Sequence, residues 1–164
     1  MLEPIPWERR ATLDNLFQLY VHDFSELWAG SARAELSEDG LFELDGGLAS
    51  YWSEAGAEAL LIRADGRVAG FALVDRRAHS GLALDHSVAE FFVVRKHRRA
   101  GVGLRAARAL FASRPGLWEA AVAAKNVGAQ QFWRTTIERA GARDIEVVEG
   151  DGERWTGPIF RFRI

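Results

Sequence analysis

The sequence predicts an α+β (mixed α/β) domain, with a central mixed, mostly antiparallel sheet flanked by helices. Three observations predict it. Two β-rich runs, Glu58–Arg63 and Val68–Val74, flank the turn Ala64-Asp65-Gly66, and a third apolar run, Ser87–Val94, follows; this is an antiparallel start. A helical stretch and a buried run then succeed that third strand, and a strand, helix and strand in sequence require a parallel crossover. Two last β-rich runs, Ile145–Val148 and Ile159–Ile164, close the chain as a hairpin around a loop at 149–158.

Bulk properties narrow the function classes. A length of 164 residues fits one domain spanning residues 1–164. Hydrophobic content of 48% and charged content of 27% are those of an ordinary soluble globular chain. A net charge of −2 argues against nucleic-acid binding by the molecule as a whole, so any basic character is local. The absence of cysteine removes disulfides, thiolate catalysis and Cys-ligated metal. There is no apolar run of transmembrane length and no signal-peptide-like start, so a cytoplasmic protein without membrane contact is expected.

The elements follow in order. Residues 1–10 open with a short edge strand. Thr12 or Asp14 is expected to cap a helix whose apolar positions, Leu13, Leu16, Phe17, Tyr20, Phe24 and Leu27, keep helical spacing. The segment 31–47 is polar, with turn signals at Asp39-Gly40 and Asp45-Gly46-Gly47. A short second helix is expected over Leu48–Glu54. Beyond the three strands, Val102–Ser113 reads as a helix ended by Arg114-Pro115-Gly116. Trp118–Ala124 reads as a buried strand, and Asn126 caps a helix over Val127–Ala140 that stops at Gly141.

The stretch Glu90–Leu104 (E-F-F-V-V-R-K-H-R-R-A-G-V-G-L) carries the chemistry. A strand feeds a basic turn, and a glycine pair opens a helix whose free N–H groups and dipole favour an anion. Four cationic side chains, Arg95, Lys96, Arg98 and Arg99, crowd that turn. Such a run is often a plain solvated turn, but beside a G-x-G it favours phosphate contact. A P-loop is excluded, because no G-K-[ST] follows. A dinucleotide loop is a second alternative: Gly101 to Ala106 match G-x-G-x-x-[GA], with Glu119 18 residues beyond Gly101. However, six residues, Arg95–Ala100, separate strand from glycine, and Glu119 falls at the start of its strand rather than its end.

Arg98-Arg99-Ala100-Gly101-Val102-Gly103 fits [QR]-x-x-G-x-[GA], and in this the chain resembles the GNAT superfamily of N-acetyltransferases. Glu90-Phe91-Phe92-Val93 is similar to that family's fourth strand. Asn126, Ala129 and Phe132-Trp133 fit its helix after the fifth strand, and the element order is also the family's. The likeness is firm over Leu61–Gly141. It implies a sheet with splayed fourth and fifth strands and acetyl-CoA as co-substrate, with no metal. The backbone N–H groups of Arg99, Ala100, Gly101, Val102, Gly103 and Leu104 would take the pyrophosphate. Phe92, Val93 and Val94 would line the pantetheine arm, and a backbone N–H there would polarise the thioester carbonyl. Asn126 would hydrogen-bond the arm, and Trp133 would pack on it. Arg98 either meets phosphate or supports the loop from beneath. The family is often dimeric, so a homodimer is among the states the resemblance allows.

The implied reaction moves an acetyl group from acetyl-CoA to a primary amine of a small molecule or protein, by direct transfer in a ternary complex. It needs a base for the incoming ammonium and an acid for the leaving thiolate. Glu90 is the first candidate base, as a carboxylate inside an apolar strand, with an arginine partner or solvent as its plainer alternatives. His86, His22 and Asp23 follow. Trp133 stands where the family often has an acidic Tyr, and the chain's only tyrosines are Tyr20 and Tyr51. That departure leaves open a non-catalytic acyl-CoA-binding sensor or interaction module.

Overall fold

A computed structural model describes residues 1–30, 34–43 and 47–164. Its elements are β1 (Leu2–Pro4), α1 (Arg10–Ser25), α2 (Ser50–Ser53), β2 (Glu58–Ala64), β3 (Arg67–Asp75), β4 (His86–Val93), α3 (Val102–Ala112), β5 (Leu117–Ala121), α4 (Val127–Arg139), β6 (Arg143–Glu149) and β7 (Pro158–Arg163). One seven-stranded sheet has the order β1-β2-β3-β4-β5-β7-β6. The first four strands pair antiparallel, as does the β5-β7-β6 group. Only β4 and β5 run parallel. The β2–β3 turn has Asp65 at φ 49° and Gly66 at φ 73°, the left-handed pair that a two-residue hairpin requires.

The sheet separates two apolar layers because strand side chains alternate. Ala72 and Val74 of β3 face α3 and α4, where Phe111, Trp118, Ile137, Phe160 and Phe162 pack. Phe71 and Leu73 face the other way, onto Leu13, Leu16 and Tyr20 of α1.

Three expectations need correction. The first helix is not capped by Thr12 or Asp14. Pro6 launches a 3₁₀ turn, with the Arg9 N–H donating to the Pro6 carbonyl at 2.9 Å, and the chain runs from it into α1 without a side-chain cap. The fifth strand ends at Ala121 rather than Ala124, although Val122 and Ala124 still donate to the carbonyls of Pro158 and Thr156. The second helix spans four residues only. The turn at Asp39-Gly40 forms, with the Gly40 N–H donating to the Ser37 carbonyl. The one expected at Asp45-Gly46-Gly47 lies mostly outside the described residues.

The parallel ladder is short. β4 and β5 meet only at His86↔Trp118 and Ser87↔Glu119. Beyond these pairs a bulge shifts the β3–β4 register, so that Glu90 opposes Leu73 while Val88 opposes Val74. The extra residue, Ala89, bends β4 at the point where it leaves β5.

A polar row crosses the sheet at that junction. Asp75, Ser87, Glu119 and Arg161 are register partners on β3, β4, β5 and β7, and all four are buried. Glu119 pairs with Arg161 at 2.8 Å and accepts from the N–H groups of His79 and Ser80 and the Ser80 hydroxyl. Arg161 also donates to the Ala83 carbonyl at 2.8 Å. The row therefore ties the β3–β4 loop down onto the sheet. Removing one member of a buried pair strands the other charge, at a cost of about 3–5 kcal/mol. Glu119→Ala is expected to lower the unfolding free energy by that amount in urea melts. A loss below about 1 kcal/mol would mean that the pair does not hold the loop.

Candidate active site

The glycine-turn side of the gap starts where β4 ends. The Val94 N–H donates to the Ala69 carbonyl of β3 at 2.9 Å. By antiparallel alternation, the N–H groups of Phe91 and Val93 therefore point to the opposite edge, the one β5 has left. Arg95–His97 then form a 3₁₀ turn, Arg99 adopts φ 60° and Gly101 φ 73°. Left-handed residues in such a turn gather backbone N–H groups into an anion-binding concavity. α3 starts at Val102, with no side chain capping it and with its first backbone bond from the Arg105 N–H to the Gly101 carbonyl. The N–H groups of Val102, Gly103 and Leu104 consequently have no intrahelical acceptor.

The two glycines serve different needs. Gly101 supplies the left-handed turn. A Cβ on Gly103 would lie 3.2 Å from the Phe132 ring, so that glycine lets α3 and α4 close together.

The basic run divides. Arg95 and Arg98 both pair with Asp23 of α1. Arg98 also donates to the Val93 carbonyl at 2.6 Å and lies over the Phe92 ring. It has the supporting position beneath the loop. Burial alone would raise the Asp23 carboxyl's pKa, but hydrogen bonds and charge from Arg98 and Arg95 outweigh it and hold it below its usual range. Lys96 and Arg99 are exposed on the rim.

Asn126 and Trp133 flank the same gap from α4. The Asn126 Oδ1 accepts from the Ala129 N–H at 3.1 Å, the expected cap. Trp133 is buried, edge-on to Phe91 at 5.2 Å between ring centres and against Phe111. Phe92 faces away, into the α1 layer, so only its backbone borders the gap.

On the α1 face Glu90 has no arginine partner among the described residues. It is half-buried and accepts a hydrogen bond from the Tyr20 hydroxyl, which α1 delivers through a box of Phe17, Phe24, Phe71 and Phe92. Burial pushes the carboxyl up to about 7, the Tyr20 hydrogen bond opposes the rise, and the Asp75 charge adds to it. Tyr20 is raised well above its ordinary value by burial and by the neighbouring Glu90. The lesser candidates lie elsewhere: Asp23 is committed to two arginines, His22 faces Phe42, and His86 packs on Trp118 at the far end of β4. Glu119 is fully buried against Arg161, which removes it as a ribose ligand. Sequence reasoning missed the Tyr20–Glu90 bond and the Asp23 clamp. The one available signal was a tyrosine standing within the apolar stripe of α1. Among the described residues, no group of His, Asp or Glu is placed to hold a metal ion.

The model of the Acetyltransferase (GNAT) family matches residues 13–136. The chain belongs to the GNAT acetyltransferase family. Solved structures share its fold. An acetyltransferase from Thermus thermophilus superimposes with a TM-score of 0.70 at 17% identity, covering 99% of this chain and 95% of that one. A GNAT-family acetyltransferase from Staphylococcus aureus gives 0.60 at 10% identity, covering 99% and 98%. A ribosomal-protein-alanine N-acetyltransferase from Brucella melitensis gives 0.58 at 16%, covering 100% and 99%. No curated protein matches the sequence. The GNAT acetyltransferase family uses acetyl-CoA. Among the described residues no helix is long and apolar enough to cross a membrane.

The Glu90 environment has a signature in stability. Its folded pKa of about 7 lies above the ordinary 4.5, so its contribution is favourable below about 4.5 and is lost as pH rises through about 7. Glu90→Gln keeps an oxygen for the Tyr20 hydroxyl. It is expected to stabilise the protein by about 1–3 kcal/mol at pH 8 and to match the wild type at pH 4 in urea melts. A variant less stable than wild type at pH 8 would show that burial does not control this group.

Proposed function

We propose that this protein transfers an acetyl group from acetyl-CoA to a primary amine of a small molecule or protein, directly within a ternary complex, with Glu90 as the general base. The observation that carries this reading is the Glu90 carboxyl itself: in an apolar wall, hydrogen-bonded by Tyr20, pushed up to about 7, and on the strand whose far edge is open. A base poised near the working pH is the most effective one.

Each residue then has a role. The N–H groups of Arg99 to Leu104 receive the pyrophosphate, and Lys96 and Arg99 lie on the rim where further phosphate charge would be met. The Phe91 and Val93 edge takes the pantetheine arm, and an N–H of that edge polarises the thioester carbonyl. The Asn126 side chain, with Oδ1 committed to the cap, turns its NH₂ donors to the arm. Acetyl-CoA supplies the activated acetyl group. Glu90 takes a proton from the incoming ammonium, the freed amine forms the new C–N bond, and the C–S bond breaks. Indole holds no acidic proton, and the Tyr20 proton is engaged by Glu90. The departing thiolate therefore takes its proton from solvent, assisted by the α3 dipole.

Acetyl-CoA is expected to raise the melting temperature, whereas NAD(P) is not. Stabilisation by the dinucleotide alone would overturn the reading. In steady-state assays Glu90→Gln is expected to lower kcat about 10²–10⁴-fold and leave the KM for acetyl-CoA near wild type. The wild-type rate should rise with pH through a midpoint near 7, the Glu90 value. Tight CoA binding with no turnover on any amine would instead identify a binding module.

A further inference from the structure

Asp75 ends β3 on the same sheet face as Leu73 and Phe71, the face that carries Glu90 on the neighbouring strand. It is only 8% exposed. Its Oδ1 accepts the Arg77 N–H at 2.9 Å. Among the described residues its Oδ2 has no hydrogen-bond partner, and it is not sealed from solvent. Asp75 borders an open cavity of about 310 Å³, which is also lined by Glu54, Arg76 and Arg77. A carboxylate buried this deeply with half of its acceptor capacity unused is uncommon, because desolvating it costs several kcal/mol unless a partner repays the loss. Solvent at the cavity and the nearby Arg77 and His79 charges offset that loss only in part, because burial still holds the carboxyl above its ordinary range; a ligand's donor or positive charge would complete the compensation. The Asp75 charge is near enough to Glu90 to raise its carboxyl, and both charges raise the Tyr51 hydroxyl of α2.

We propose that Asp75 is the binding site for a second cationic group of the amine acceptor, so that the preferred acceptor is a short alkyl diamine. This rests on the proposed acetyl transfer at Glu90. One nitrogen of the acceptor reacts beside Glu90, and the other, as an ammonium, donates to the Asp75 Oδ2. Leu73 is the register partner of Glu90, and Asp75 lies two residues further along β3. Two residues along a strand and one step across the sheet separate the two backbone positions by about 8 Å, a span suited to a short spacer. The mouth adds a length limit. Arg76 and Arg77 stand there with Glu54, so the rim carries a net positive charge. A third ammonium reaching the rim meets like charge, which disfavours a longer polyamine.

The test compares 1-aminobutane, 1,4-diaminobutane and a linear triamine at saturating acetyl-CoA. The wild type is expected to favour the diamine over the monoamine by about 30-fold in kcat/KM, the effect of one hydrogen bond to a charged group, and over the triamine by a smaller factor. Asp75→Asn keeps an oxygen for the Arg77 N–H and removes the charge. It should lower kcat/KM for the diamine at least about 10-fold more than for the monoamine. A wild-type ratio near one, or an equal loss on both amines, would overturn the proposal. Should Asp75→Asn fail to fold, Glu54→Gln at the exposed mouth carries the same ratio comparison, with a smaller expected decrease. Calorimetric titration of the diamine into the CoA-bound protein gives a readout without turnover. Binding that Asp75→Asn weakens supports the site, and no binding to the wild type overturns it. Failure of the catalytic reading has a separate signature: Glu90→Gln would retain turnover while the diamine preference stayed intact.

Discussion

A β-bulge at Ala89 and a parallel ladder of only two residue pairs force β4 and β5 apart, and the rest of the site depends on that parting. Strand edges are normally paired or covered, because exposed N–H and C=O groups attract other chains. Here the open edge faces inward, between α3 and α4 on one side and α1 on the other. The chain thereby keeps a row of unpaired backbone donors in a sheltered place. At the same level the bulge sets Glu90 opposite Leu73, on the α1 face of the sheet.

α1 links the two halves of the site. Its Tyr20 hydroxyl engages Glu90, and one turn later its Asp23 clamps Arg95 and Arg98 below the glycine turn. Both contacts join segments that are far apart in sequence. The helix is held flat against the sheet by Leu13, Leu16 and the aromatic box, so its polar contacts begin from a fixed platform. Glu90 and the basic turn are thus positioned by one element rather than by two independent ones.

The parts of the fold that were legible in the sequence were those encoded locally. Asp65-Gly66 specified a hairpin because both residues adopt left-handed backbone. Asn126 specified a helix start because its side chain closes the cap three residues on. Gly101 marked the turn ahead of α3 for a similar reason, its left-handed backbone. The start of α1 was misread, because Pro6 and a 3₁₀ turn replaced the side-chain cap that Thr12 or Asp14 suggested. The partner of Glu90 could not be read, since Tyr20 is 70 residues away and the apolar stripe of α1 accounts for a tyrosine equally well as packing. Trp133 illustrates the same limit: its position suggested contact with a ligand, and its burial is decided by Phe91 and Phe111 from other elements.

The buried row Asp75, Ser87, Glu119 and Arg161 sits where the two halves of the sheet are joined, since Ser87↔Glu119 is half of the β4–β5 ladder. Apolar contacts across such a seam are non-directional and tolerate sliding. Hydrogen-bonded charges do not, because each has a single geometry in which all of its bonds are made. The bonds of Glu119 and Arg161 to the β3–β4 loop therefore set the alignment of β1-β2-β3-β4 against β5-β7-β6. A slip of one residue along that seam would carry Glu119 and Arg161 together away from the Ser80 and Ala83 groups they bind. The seam can be short, and the cleft above it correspondingly wide, because its few pairings are chemically unambiguous.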